Sequence, residues 1–171
     1  LYKEEQLFRT LAEQSSDIIV LVDSAGKVVY ENSAVEALLG LKPEERIGQK
    51  VFERVHPNNL REMKDAFLAL FTNRNLTFNR KREVRLRHKD GNWRTFGIAA
   101  SNIVNNDVIE AVIVNLRDIT ERKQAEGALL ESERQYKLIA EKMTDIVWMA
   151  DMNLNVIYIT PSVYRVLGFT Q

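Results

Sequence analysis

Two stretches of this chain align without a gap at a shift of 128 positions (8 to 136), and that repetition limits its fold more than any other feature. Residues 8–40 read FRTLAEQSSDIIVLVDSAGKVVYENSAVEALLG, and residues 136–168 read YKLIAEKMTDIVWMADMNLNVIYITPSVYRVLG. Ala12 and Glu13 recur as Ala140 and Glu141, and Asp17 and Ile18 as Asp145 and Ile146. Asp23, Val28, Tyr30, Leu39 and Gly40 recur as Asp151, Val156, Tyr158, Leu167 and Gly168. Gapless agreement of this kind points to one supersecondary unit used twice. The first copy runs on to Asp118, whereas the second stops at Gln171, so residues 133–171 hold only the opening third of a domain. A piece near ~40 residues rarely buries enough surface to fold alone. Residues beyond about 143 are therefore expected to be disordered, or to pair with another chain in a swapped or intermolecular sheet.

The patterning between the copies changes in a fixed order. Residues 2–14 read as an amphipathic helix with Leu7, Phe8 and Leu11 on one side. DIIVLVD (17–23) is a continuous apolar strand, which predicts cover on both of its faces. SAGK supplies a turn, VVYEN a second strand, and NSAVEALLG a short helix closed by Gly40. Pro43 and Gly48 punctuate irregular single turns. HPNNLREMKDAFLALFTN predicts a longer helix with Pro57 in its first turn and Leu60, Met63, Lys64, Phe67 and Leu70 or Phe71 at helical spacing. Two strands follow, joined by Lys89-Asp90-Gly91-Asn92, a tight-hairpin signal. NND at 105–107 turns the chain into the last strand, VIEAVIVNLRD. The order predicts an α+β domain with one antiparallel sheet and helices on one face. The other face needs a lid, for which the 2–14 helix or a partner subunit is the candidate.

Composition excludes more than it assigns. Lys+Arg and Asp+Glu are both 24, so charge gives no reason to expect nucleic acid or an anionic membrane as partner. There is no cysteine, which removes disulfides, thiolate metal sites, cysteine nucleophiles, thioether-attached haem and cysteinyl-flavin photochemistry. No apolar run approaches the roughly 20 residues needed to cross a bilayer, and no signal peptide is visible. The chain opens on Leu1 rather than methionine and is read as a cytoplasmic piece of a longer protein, one open to a membrane anchor elsewhere.

Several stretches, in order and at family spacing, resemble a PAS domain over the first 120 residues and the start of a second over 133–171. They are AEQSSDIIVLVD, GKVVYEN followed by ALLGLKPEE, IGQKVFERVHPNN, EVRLRHKDGNWRTF and RDITERKQAE. The resemblance implies a five-stranded antiparallel sheet of order 2-1-5-4-3 with helices on one face. It also implies a sensory and dimerisation role in prokaryotic signalling proteins, most often histidine kinases. The implied organisation is an N-terminal flanking helix (1–16), a PAS domain (17–119), a linker helix (120–142) and an incomplete second domain (143–171). Two departures stand out. Asn58 and Asn59 replace acids that would favour the positive end of the following helix. Gly127 stands where the family's linker commonly has glutamate, at a cost of roughly 1 kcal/mol in a helix interior relative to alanine. It is either a soft point in the linker or neutral drift at an exposed position.

The candidate functional element is the junction Asp118-Ile119-Thr120-Glu121. Asp118 ends the last strand and, with Glu121 three later, has capping-box-like spacing for the next helix. One residue then ties sheet to helix, so a change in the sheet moves the helix start. Beyond it, Arg122, Leu129, Tyr136 and Met143 fall seven apart, beside Ile119, Glu126, Glu133 and Ala140. That is a mixed seam, and a helix this polar is marginal in water unless its copy in a dimer pairs with it. His56 and His88, the only histidines, are expected to be structural. The 58–72 helix contains no histidine, whereas haem-binding relatives carry their ligand there. RKREVRLRHK (80–89) is basic, but alternation puts Arg85 and Arg87 on one face and Val84 and Leu86 on the other, an ordinary half-buried strand.

Two readings follow. In the first, the chain is a noncatalytic sensory module that dimerises through its flanking helices. It relays a conformational signal through residues 118–121 to an effector downstream, with no cofactor, metal, nucleic-acid or membrane contact expected. In the second, it is a receptor for an unidentified small molecule, neither haem nor cysteinyl flavin, held between the sheet and the 57–72 helix. No nucleophile–base pair or phosphate loop supports an enzyme.

Overall fold

A computed structural model of the chain describes residues 2–73, 76–105 and 108–168. It divides into two units, residues 1–121 and 122–171.

The first unit opens with helix α1 (Tyr2–Glu13), followed by strands β1 (Ile18–Asp23) and β2 (Val28–Glu31). Short helices α2 (Ala34–Leu39) and α3 (Pro43–Arg46) and a 3-10 turn (Val51–Arg54) lead to helix α4 (Pro57–Thr72). Strands β3 (Thr77–Arg87), β4 (Trp93–Asn105) and β5 (Val108–Asp118) complete a five-stranded antiparallel sheet of order β2-β1-β5-β4-β3. The expected α+β architecture and strand order are therefore present. The expected turn at 105–107 lies, for residues 106 and 107, outside the described residues.

Register places the core. Ile18, Val20 and Val22 of β1 stand opposite Leu116, Val114 and Val112 of β5, all on the face toward α2 and α4. Phe96, Val84, Val35, Met63 and Leu70 fill the space between sheet and helices. Loop backbone bonds to part of both outer edges. Beside β2, the Val28 N–H donates to Gln49 and the Gly48 N–H to Val28, at 3.0 and 2.8 Å. Beside β3, the His56 N–H donates to the Arg85 carbonyl at 2.9 Å. The predicted hairpin turn forms at Lys89–Asn92, where Gly91 takes a φ of +93° and the His88 N–H reaches the Asn92 carbonyl.

The opposite sheet face departs from expectation. β1 alternates, with Ile19 and Leu21 only half-buried. Helix α1 docks through its last turn: Ala12 is buried and Phe8 meets the Tyr30 ring at 5.8 Å, but Leu7 and Leu11 are about 60% exposed. Of the predicted stripe, Phe8 thus packs within this chain while Leu7 and Leu11 stay exposed.

The second unit contains most of helix α5 (Thr120–Lys142), none of whose residues is buried. Leu129, Tyr136 and Met143, the predicted seam, are exposed. Residues beyond about 143, for which disorder or pairing with another chain is expected, form a hairpin, β6 (Trp148–Ala150) with β7 (Val156–Ile159), and helix α6 (Ser162–Leu167). This hairpin repeats the first unit bond for bond. Leu21 faces Tyr30, and Met149 faces Tyr158. Asp23 Oδ1 accepts from the Ala25 and Lys27 N–H groups, and Asp151 Oδ1 accepts from Asn153 and Asn155, all at 2.9 Å. Gly40 and Gly168 both close their helices at a φ of +71°. Local hydrogen bonds of this kind need no distant partner, which is why so short a segment takes a defined shape.

Candidate functional site

The junction after β5 is built from backbone first. β4 and β5 run side by side to the pair Phe96↔Asp118, which leaves Thr95 just beyond the last rung. The Ile119 N–H donates to the Thr95 carbonyl at 2.9 Å, extending the ladder past the sheet. The Thr95 N–H donates to Thr120 Oγ1 at 2.9 Å, and the Thr120 hydroxyl donates back to the Thr95 carbonyl at 3.4 Å. Asp118 Oδ1 accepts from the Thr120 N–H at 2.8 Å, and its Oδ2 lies 3.5 Å from Arg94 Nη1. Helix α5 starts at Thr120, so Asp118 stands one residue before the cap position and makes an aspartate turn. The reciprocal Glu121 bond of a capping box is not formed among the described residues. The structure brings Asp118, Ile119 and Thr120 together with Thr95, a partner that sequence spacing could not name.

A second latch joins α1 to the same sheet. Asn32 is fully buried at the end of β2. Its Oδ1 accepts from the Ile19 N–H at 2.9 Å, and its Nδ2 donates to the Ala12 and Asp17 carbonyls at 2.7 and 3.1 Å. Glu13 supports it, accepting from the Tyr30 hydroxyl at 2.7 Å and from the Ser33 N–H at 2.9 Å. Burial alone would raise the Glu13 carboxyl, but these hydrogen bonds and Arg9 outweigh it and hold the group below its ordinary value. Burial, then the Glu13 bond, pushes Tyr30 up to about 12. In the second unit Thr160, 128 positions after Asn32, accepts from the Val147 N–H at 2.9 Å and donates to the Asp145 carbonyl at 3.3 Å. The repeat signal covered both positions, but an asparagine opposite a threonine does not register as a match.

Between sheet and α4 lies a partly open cavity of about 100 Å³. Its walls are mostly apolar, with Val22, Phe67, Val84, Ile98 and Leu116 among them. Glu31, Arg46, Arg54 and Arg82 are its charged lining; the side chains of Glu31 and Arg46 are 4% and 8% exposed, with Arg46 Nε donating to Glu31 Oε2 at 3.2 Å. Burial raises the Glu31 carboxyl above its ordinary value, against the pull of Arg46 and Arg54. Sequence reading placed a ligand space here but missed the ion pair, since nothing in GKVVYEN or LKPEER says that the two charges meet inside.

The histidines take structural positions. His56 caps α4, its Nδ1 accepting from the Asn58 N–H at 3.1 Å, and its ring meets Trp93 at 4.5 Å. His88 sits in the hairpin turn, accepting from the Asp90 N–H at 3.1 Å. Val84 and Leu86 point into the core as alternation predicts, Arg87 is exposed, and Arg85 bonds to Asn59 and His56. Among the described residues no helix is long and apolar enough to cross a membrane.

Comparison with known proteins agrees with this geometry. The chain is 24% identical over 143 residues to sporulation kinase A of Bacillus subtilis, covering 78% of this chain and 22% of that protein. It therefore spans about a fifth of the length of that relative. The crystal structure of a PAS domain from Colwellia psychrerythraea matches with a TM-score of 0.61 at 24% identity, covering 69% of this chain and 98% of that one. An RNA-binding light-oxygen-voltage receptor matches at 0.60 and 20%, covering 77% and 38%. At these identities the structural likenesses speak for the fold alone. The PAS fold matches residues 6–119, more than half of the chain and including the end of α1, so this chain belongs to the PAS family.

Proposed function

We propose that this chain is a noncatalytic sensory region that relays a change in its β-sheet through residues 118–121 into α5, and so to an effector later in a longer protein. The observation that carries this reading is the reciprocal bonding of Thr95 and Thr120, which ties the start of a 23-residue helix to the rungs of β4 and β5. A helix anchored in this way cannot keep its position if the two strands shift. The similarity to a sporulation kinase favours a kinase, of the histidine type, as the effector. The exposed Leu7 and Leu11 of α1, the exposed Leu129 and Tyr136 of α5, and Met143 just after it favour a homodimer in which each flanking helix covers its copy. Residues 143–171 are read as the opening of a second PAS domain, because their hydrogen bonds reproduce those of the first. A cytoplasmic setting fits a cysteine-free chain of this kind.

The test is Asp118→Ala in the full-length parent protein, with circular dichroism to establish that the fold is kept. Stimulus-dependent output should fall while basal output persists. Output that responds to stimulus as before would remove Asp118 from the relay.

The cavity supports a second reading, in which the sheet responds to a small molecule held against α4. Mass spectrometry of the purified protein tests it, since a stoichiometric copurifying compound is the expected result.

A further inference from the structure

Arg46 is an uncommon side chain to find at the wall of an apolar hollow. Guanidinium carries five N–H donors, and its side chain here is 8% exposed. Its one side-chain hydrogen bond among the described residues is the contact of Nε with Glu31 Oε2. That contact, at 3.2 Å, is longer than the roughly 2.7–2.9 Å of a good charge-assisted bond, and it uses one edge of the fork. The other edge, Nη1 with Nη2, has no acceptor among the described residues. It belongs to a residue that lines the cavity.

The charges around this end are uneven. Arg54 also lines the cavity and acts on Glu31 through space, while Arg82, a third lining arginine, is bound at 2.7 Å by Glu62. Arg46 and Arg54 thus face a single carboxylate, Glu31. One further negative charge would balance the group and fill the open edge of the fork. Apart from these charged groups and Glu31 the lining is apolar, and about 100 Å³ is less than the roughly 150 Å³ of a dry cavity that admits benzene.

We propose that the cavity binds a small apolar carboxylate, whose two oxygens take the Nη1–Nη2 edge of Arg46 and whose short hydrocarbon body lies against Phe67, Val84 and Ile98. The inference rests on the reading of this cavity as a ligand site. Glu31 connects it to the latch: it immediately precedes Asn32, so a ligand that shifts Glu31 pulls on the residue that holds α1.

Isobutyrate and the shape-matched neutral isobutyramide, titrated into the whole chain by calorimetry, test the charge. Isobutyrate should bind at least about tenfold tighter, as a charge-assisted bidentate pair does over a neutral one, and Arg46→Gln should abolish the difference. Glu31→Gln, which keeps shape and removes the competing carboxylate, should bind isobutyrate about tenfold tighter still. This variant carries the test if Arg46→Gln does not fold. Equal binding of acid and amide, or no gain in Glu31→Gln, overturns the carboxylate. Xenon separates the two levels, since it reports apolar space alone. Xenon shifts at the Ile98 and Leu116 methyls without isobutyrate binding would keep the cavity and reject the carboxylate. Silence from both would reject the ligand site as well.

Discussion

Thr95 and Thr120 bond to each other in both directions across a gap of 25 residues, amide to hydroxyl and hydroxyl to carbonyl. Thr95 precedes the last rung of the sheet, and Thr120 is the first residue of α5. With Ile119 held by the same Thr95 carbonyl, the helix begins on the sheet rather than on a tether.

Thr120→Val keeps the branched shape and removes the hydroxyl. The part-buried Thr95 N–H then loses its acceptor, which costs about 1–2 kcal/mol. Thr120→Ser keeps the hydroxyl and should stay close to the parent. Urea unfolding measures the loss, and hydrogen exchange locates it. The Thr95 amide should exchange faster in Thr120→Val and at the parental rate in Thr120→Ser. Unaltered protection in the valine variant would mean that the hydroxyl is not what holds the joint.

Asn32→Ala removes three hydrogen bonds from a fully buried site; the Ile19 N–H and the Asp17 carbonyl lose this partner, while the Ala12 carbonyl keeps the Ser15 N–H at 3.2 Å. The expected cost is about 2–4 kcal/mol, since each stranded polar group carries its own desolvation penalty. The loss should fall unevenly. Residues 6–13 should lose exchange protection well before the sheet does, because Ala12 is held through this side chain. Asn32→Thr, the residue found at the equivalent Thr160, should recover the bond to the Ile19 N–H but not the one to Ala12.

What could be read from sequence, and what could not, divides by the range of the interaction. The Asp90-Gly91 hairpin, the Gly40 cap and the limits of α5 follow from local chemistry or a repeated pattern, strand order follows from the family resemblance, and the structure places them as expected. The repeat even extends to single hydrogen bonds, as at Asp23 and Asp151. Thr95–Thr120 and Glu31–Arg46 are different. Each joins residues far apart in sequence whose types are ordinary at their positions, and only the folded register brings them within reach. Leu7 and Leu11 differ again: their helical spacing marks a stripe, but spacing does not say whether this chain or a partner covers it.

The Glu13–Tyr30 pair gives α1 a pH dependence with opposite limits. Glu13 is held below its ordinary value in the folded state. Its contribution is complete above the unfolded carboxylate range, near 4.3, and is lost as pH falls through the folded value. Tyr30 is raised to about 12, so its contribution is complete below the unfolded value of about 10 and is lost as pH rises toward 12. An ultraviolet titration compared with Tyr30→Phe isolates the Tyr30 midpoint. Glu13→Gln should lower that midpoint while leaving it above about 10, because burial, the larger cause, remains. A midpoint unmoved by Glu13→Gln would deny the pair.

Gly127 lies inside α5, where an added Cβ would meet nothing within 4 Å. Its backbone is helical and does not need glycine's freedom, so the residue is there at a cost. Gly127→Ala should stabilise the helix by about 1 kcal/mol. The gain should appear as more helical circular dichroism and slower exchange across 122–132, with residues 17–118 unaffected. The same substitution in the parent protein separates the two readings of this position. A linker that transmits by stiffness should shift its stimulus threshold once the soft point is removed. A helix that gains order while output stays at the parental level would instead assign Gly127 to neutral exposure. The relay would then depend on the joint at Thr95 and Thr120 rather than on the stiffness of the shaft.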